Sequence, residues 1–164
     1  MSVHHLCDMP RDTGYRNVCD ICGVPIDAGY FDVATFQPAP KVGDEVEVAR
    51  YELHPQYCGT LLYFTQYAEQ PTPPAQVTTH TPGYEWVLLC NNQPRAPYLP
   101  TNLILNPWGY NALPVHLRLE EGCTVRFVVR RVSATAGDDL SRVGGRLLGR
   151  AWYNTQYGGA PNRL

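Results

Sequence analysis

Apolar and polar residues alternate along much of this chain, as they do in β-strands that bury one face and expose the other. The clearest run is Pro114–Leu119, in which every second residue is apolar. Cys123–Val132 continues the alternation, with Phe127 on the inward face and Arg126 on the outward face. Because Glu120–Gly122 lies between the two runs, they predict a β-hairpin whose glycine supplies a positive φ. The residues predicted to be buried are Val115, Leu117, Leu119, Val125 and Phe127, and Arg118 and Arg126 are predicted to be exposed.

Further apolar runs separated by Gly and Pro predict additional strands, and they leave no convincing amphipathic helix. These runs are Tyr30–Phe36, Glu45–Leu53, Tyr57–Tyr67, Tyr84–Cys90, Leu103–Leu105 and Val143–Tyr153. A change of parity after Ala49 indicates a β-bulge. Residues 69–82, rich in Pro and Thr, are predicted to be an unpaired loop, and Asp138–Arg142 a short helical turn.

The pattern as a whole predicts an all-β fold, a β-sandwich or jelly roll of about seven to eight strands. The predicted organisation is an irregular N-terminal arm over residues 1–29, one β-sandwich domain over 30–155 and a flexible C-terminal tail over 156–164. The chain has 164 residues, of which 44% are hydrophobic and 17% charged, as in ordinary globular proteins. It shows no export signal and no apolar stretch long enough to span a bilayer, so it is expected to be made in the cytoplasm.

Charge is unevenly distributed along the sequence. Residues 1–117 hold 5 basic and 11 acidic side chains, a balance of −6, whereas residues 118–164 hold 8 and 4, a balance of +4. Either the two parts form oppositely charged surfaces that pair between subunits, or the charges mix on the folded surface. Because all the basic residues except Lys41 are arginines, a protein interface is favoured over nucleic-acid binding.

The strongest local motif is Cys19-Asp20-Ile21-Cys22-Gly23, whose two thiolates would converge on one ion. With Cys7 and a histidine, His5, it makes a chemically sensible tetrahedral site for one structural zinc. The alternative is a small apolar cluster of reduced cysteines. Three more cysteines lie within predicted strands and are expected to be buried free thiols: Cys58, Cys90 and Cys123.

No motif pairs a nucleophile with a base or forms a phosphate loop, so the chain is not expected to be an enzyme. One rival is a metal-dependent jelly-roll enzyme using His54, His80 and His116 with Glu52 and Glu85, although the His-x-His pair of cupins is missing. Another is a glycan- or peptide-binding module that uses the aromatic, proline-containing loops. The residues predicted to form a contact surface are Trp108, Tyr110, Trp152, Arg146 and Arg150.

The alternating run 114–129, the loop Asn106–Gly109 and the irregular arm together resemble small β-sandwich virion proteins of tailed phages. Such proteins include capsid decoration proteins and head or tail accessory subunits. The resemblance is architectural, extends over residues 30–155 and carries no diagnostic motif. It implies a non-enzymatic structural subunit that assembles with copies of itself, as a homo-oligomer, or with a larger shell or tube protein, and that ends in the virion.

Overall fold

The computed structural model describes residues 24–25, 28–71, 76–78, 81–94, 113–134 and 139–153. This part of the chain contains nine strands and no helix, which confirms the all-β prediction. Two of the strands have only two residues each. The strands are β1 (Gly29–Pro38), β2 (Glu45–Glu52), β3 (Tyr57–Gln70), β4 (Gln76–Val77), β5 (Tyr84–Cys90), β6 (Gln93–Pro94), β7 (Leu113–Leu119), β8 (Thr124–Arg131) and β9 (Arg142–Tyr153).

The strands form two antiparallel sheets, as expected for a β-sandwich. The larger sheet has the order β1-β9-β3-β4, with β7 also paired to β3, and the smaller sheet has the order β2-β8-β5-β6. Alternate residues from both sheets point inward and form one core, because apolar side chains are most stable when removed from water. Its largest fully buried side chains include Trp86, Tyr84, Phe127, Leu61 and Leu147.

The predicted hairpin of β7 and β8 is wrong, although the buried faces of both strands are correct. β7 pairs with β3, where Leu117 lies opposite Leu61, whereas β8 lies between β2 and β5 in the other sheet. The connection Glu120–Gly122 therefore crosses from one sheet to the other, and Gly122 has the expected positive φ of 63°. Alternation identifies the face that is buried but not the neighbouring strand, so it could not distinguish the two arrangements. Arg118 and Arg126 are partly buried rather than exposed.

Three other local predictions need correction. Glu69 and Gln70 extend β3 and pair with β4, so residues 69–82 are not entirely an unpaired loop. Residues 139–141 form no helical turn, and Arg142 already belongs to β9. The β-bulge lies between Glu47 and Ala49, slightly earlier than the sequence indicated. Leu103–Leu105 lies outside the described residues.

Glycines in β9 allow neighbouring groups to approach its backbone. A Cβ atom on Gly145 would lie 2.6 Å from Cδ1 of Phe127 and 2.7 Å from Cγ2 of Val48. A Cβ atom on Gly149 would overlap the ring of Phe31 and the backbone oxygen of Thr60. The absence of side chains at these positions lets the core rings of both sheets pack directly on β9.

The three cysteines predicted to lie within strands are buried free thiols, as expected, although Cys123 directly precedes β8. Cys90 and Cys123 belong to the main core, whereas Cys58 joins a separate cluster on the outer side of the larger sheet. That second cluster consists of Val24, Ala28, Cys58 and Trp152. The described end of the N-terminal segment therefore packs against the larger sheet.

Candidate functional site

The outer face of the larger sheet is determined by the pairing of three strands. In β9, Arg146 lies opposite Ala34 of β1 and Thr65 of β3, so side chains of the three strands share one surface. Alternate residues of β9 point away from the core. This surface, called here the arginine–aromatic face, comprises Tyr30, Asp32, Phe36, Tyr63, Tyr67, Arg142, Arg146 and Arg150.

One end of the arginine–aromatic face is an aromatic pair that spans three strands. Phe36 and Tyr67 lie opposite Gly144 from either side, and a Cβ atom on Gly144 would lie 2.6 Å from Cδ1 of Phe36. Their ring centroids are 4.9 Å apart at an interplanar angle of 80°, an edge-to-face contact. Cζ of Arg142 lies 4.8 Å from the centroid of Phe36, in cation–π contact. The hydroxyl of Tyr67 donates to Glu69 over 2.6 Å, and this hydrogen bond raises the pKa of Tyr67.

At the centre and at the other end of the face, an arginine is again held by a neighbouring group of the same chain. Nε and Nη2 of Arg146 donate to the two carboxylate oxygens of Asp32, with 2.7 Å from Nε to Oδ1, and this hydrogen bonding holds the pKa of Asp32 below its ordinary value. Cζ of Arg150 lies 4.8 Å from the ring centroid of Tyr30, and its Nη2 donates to the oxygen of Ala28 over 2.8 Å. Each arginine is therefore oriented by a contact within its own chain.

Two of the residues predicted to form a contact surface lie on this face. Arg146 and Arg150, both predicted contact residues, lie on the arginine–aromatic face. Trp152 is only 3% exposed and packs within its own chain, so its side chain is buried rather than available on the surface. Trp108 and Tyr110 lie outside the described residues. Sequence reasoning missed Tyr30 and Phe36, although their even spacing along β1 was a usable signal for a shared face.

Charges distant in sequence meet on the folded surface, which supports the mixing interpretation for the described residues. Nε of Arg126 lies 2.5 Å from Oε2 of Glu47, and Nε of Arg130 lies 2.6 Å from Oε2 of Glu45. Asp32 and Arg146, 114 positions apart, add a third pair between the acidic and the basic part of the sequence. In the described residues, three acidic side chains of the first part are therefore paired with arginines of the second.

A polar depression of about 380 Å³ lies on the smaller sheet. Its lining residues are Arg50, Asn91, Asn92, Thr124 and Arg126. The turn between β5 and β6 forms one side, where Asn91 and Asn92 have φ of 50° and 62°. Asparagine tolerates this left-handed region, and two such residues suit a tight hairpin. The backbone N–H of Asn91 donates to the oxygen of Thr124, and the N–H of Thr124 donates to Oδ1 of Asn91, both over 2.9 Å.

The structure separates two members of the suggested catalytic metal site. Glu52 pairs with Thr124 at one end of β8, whereas Glu85 pairs with Arg130 near the other end. Six residues of extended strand correspond to about 20 Å, too far for one ion. His80 and the side chain of His116 fall outside the described part, as do all four residues of the zinc prediction, His5, Cys7, Cys19 and Cys22.

In the described ranges, no three His, Cys, Asp or Glu side chains are grouped as metal ligands. The same ranges contain no helix with the length and apolar character needed to cross a membrane. Comparison with protein families, with curated proteins and with solved structures found no match.

Proposed function

We propose that this protein is a non-enzymatic structural subunit, of the virion decoration or accessory type, that binds neighbouring subunits through the arginine–aromatic face. The observation that carries the proposal is the set of exposed aromatic rings on a regular sheet, two of which are in cation–π contact with arginines. Tyr30 is 70% exposed, Phe36 52% and Tyr63 41%. These three account for half of the six large apolar or aromatic side chains that are exposed in the described residues.

Aromatic and arginine side chains are enriched at protein interfaces because they bury a large area and lose little conformational freedom. Here Arg142 and Arg150 rest on aromatic rings, and Arg146 is held by Asp32. Side chains that are already ordered reduce the entropy lost on association. The half-exposed Asp32–Arg146 pair adds groups of both signs, which favours a defined orientation of the partner.

The proposal predicts self-association, or co-purification with a larger particle, that depends on this face. In sedimentation velocity over a concentration series, the double variant Tyr30→Ser/Phe36→Ser should dissociate at concentrations where the wild type remains associated. The matched control is Val42→Ser/Val132→Ser, since both valines are similarly exposed (52% and 53%) but lie off the face. Circular dichroism should show that each variant keeps its β-sheet content.

A second assembly test uses charge. Arg146→Glu/Arg150→Glu should weaken association, and association should weaken with added salt because the face is exposed. A wild-type protein that stays monomeric at high concentration, with no partner recovered from its source, would contradict the assembly proposal. The same exposed rings would then favour the alternative, a glycan- or peptide-binding module, and Tyr30→Ser/Phe36→Ser should abolish binding to an oligosaccharide or peptide array.

We further propose one structural zinc in the N-terminal arm, bound by Cys7, Cys19, Cys22 and His5. Metal analysis of the purified protein should give about one equivalent, which the Cys19→Ser/Cys22→Ser variant should lose because thiolates supply the strongest bonds to this ion. The matched control is Cys90→Ser, since Cys90 is buried in the core. Equal zinc content in the wild type and the double variant would contradict the proposed site.

A further inference from the structure

We propose that the polar depression on the smaller sheet binds an oxyanion, either a carboxylate or a phosphate group. This site is independent of the arginine–aromatic face, which lies on the other sheet. Its lining consists of two guanidinium groups, two carboxamides and a hydroxyl, all of them hydrogen-bond donors. Its volume of about 380 Å³ accommodates an anion of a few heavy atoms together with ordered water.

Two like charges face each other at the base of this depression. Arg50 of β2 and Arg126 of β8 are directly opposite in the strand pairing. Directly opposed residues have Cβ atoms about 4.5–5.5 Å apart, and like charges so placed repel. An anion bound between them would remove that repulsion. It would also accept hydrogen bonds from guanidinium nitrogens, which are strong donors to carboxylates and phosphates.

Arg126 is already oriented for this role. Its Nε donates to Glu47 over 2.5 Å, and its Nη1 donates to Oδ1 of Asn92 over 2.9 Å. Its Nη2 lies 3.9 Å from Oε1 of Glu45, too far for a hydrogen bond. The guanidinium is therefore fixed in place with one nitrogen left for a ligand. Since Oδ1 of Asn92 accepts from Arg126, the amide nitrogen of Asn92 is left as a second donor.

Arg50 is held less firmly than Arg126, and the carboxylate that holds it would compete with a bound anion. It pairs with Glu52, two residues along the same strand, and the two side chains are 50% and 60% exposed. Exposed pairs of this kind are weak and are screened by salt. A bound oxyanion would replace the Glu52 carboxylate at Arg50, whereas the better-ordered Arg126 would keep its own partners.

The decisive experiment is an NMR titration of the isotopically labelled full chain with inorganic phosphate and, separately, with acetate, each at constant ionic strength set by sodium chloride. Saturable shifts of the backbone amides of Asn91, Asn92 and Thr124 are expected in at least one titration. A response to acetate identifies a carboxylate site, and a response to phosphate alone identifies a phosphate site. Shifts no larger than those produced by chloride in either titration would overturn the proposal.

Three variants separate this site from general surface charge. Arg126→Lys should weaken binding about tenfold or more, because a lysine ammonium cannot keep the contacts with Glu47 and Asn92 and also hold a fixed donor toward the ligand. Glu52→Gln should tighten binding severalfold by releasing Arg50. The matched control is Arg130→Lys, also on β8 and paired with a glutamate but outside the depression, and it should bind as the wild type does.

Equal weakening by Arg126→Lys and Arg130→Lys, or unchanged affinity in Glu52→Gln, would defeat the proposal. If Arg126→Lys proves unfolded by circular dichroism, Arg50→Lys provides the same test. Arg50 is half exposed, so its replacement leaves the core intact.

Discussion

At the scale of single residues, the packing of β9 depends on positions that have no side chain. The ring of Phe127 from the opposite sheet packs against Gly145, and the ring of Phe31 from β1 packs against Gly149. A glycine inside a strand ordinarily weakens it, because it costs more backbone entropy and offers nothing to pack. Here the loss is offset by aromatic rings that cover the bare backbone on the core side.

Replacing Gly149 with alanine should therefore destabilise the fold by about 1–3 kcal/mol through overpacking. One of the two groups in the way is the backbone oxygen of Thr60, which cannot rotate aside as a side chain can. Chemical denaturation would measure the change in the free energy of unfolding. The matched control is Gly29→Ala, where the new Cβ atom would have its nearest neighbour at 3.8 Å. Equal stability of the two variants would show that the sheet relaxes around the added methyl group.

The sequence was a good guide to which residues are buried and a poor guide to which aromatic residues are exposed on the surface. The burial of Phe127 and of Cys58, Cys90 and Cys123 was predicted correctly, because hydrophobicity and alternation indicate burial directly. Trp152 was expected at a contact surface but is enclosed with Val24 and Ala28. Its covering comes from residues more than a hundred positions away, and no local pattern contains that information.

At the scale of elements, strands were easier to predict than their neighbours. The runs assigned to β3, β5, β7, β8 and β9 all form strands over nearly the predicted ranges. β7 and β8 nevertheless belong to different sheets, since a strand with one buried face fits either side of a sandwich equally well. The arginine–aromatic face escaped prediction for the same reason, because it exists only when β1 and β3 flank β9.

The inward face of β8 provides a test of the core. Phe127 is 1% exposed, and its ring centroid lies 5.1 Å from that of Phe64 on the facing sheet. Phe127→Ala should cost about 3–5 kcal/mol, from lost burial and the cavity left behind. Equilibrium unfolding in urea would measure it, with the exposed Val132→Ala as the control. A loss below about 1 kcal/mol would mean that the site collapses onto the missing ring.

The stability that the Asp32–Arg146 pair contributes between β1 and β9 should depend weakly on pH. Because Arg146 lowers the pKa of Asp32 in the folded protein, the ionised carboxylate stabilises the fold. This stabilisation is present above the unfolded pKa of about 3.9 and is lost as pH falls through the lower folded value. Asp32→Asn should reduce stability by at most about 1 kcal/mol at neutral pH, since the pair is exposed, and the difference should vanish once the pH lies below the pKa of Asp32 in the folded protein.

The control for this effect is the same substitution in an Arg146→Gln background, where Asp32 has lost its partner. There, Asp32→Asn should leave the pH dependence of unfolding unchanged. A difference between wild type and Asp32→Asn that grows as the pH is lowered would contradict the assignment of the pKa shift to Arg146.

At the scale of the whole molecule, acidic side chains of the early strands lie beside basic side chains of the late strands in the part of the chain that the structure describes. Ion pairs join Asp32, Glu45 and Glu47 to arginines that lie 79 to 114 positions later. Long-range antiparallel pairing brings the acidic early strands beside the basic late ones. The proposed attraction between subunits is therefore expected to come from local arrangements, such as the arginine–aromatic face, rather than from opposite halves of the molecule.

The position of β9 also has a consequence for biosynthesis. It is the last described strand in the chain, yet it lies between β1 and β3 in the larger sheet. Until β9 leaves the ribosome, the nascent chain cannot complete that sheet, and β1 lacks the strand with which it pairs. Such high contact order predicts refolding on the order of milliseconds to seconds. It also predicts that a nascent chain stalled before Arg142 would recruit chaperones that recognise unpaired strands.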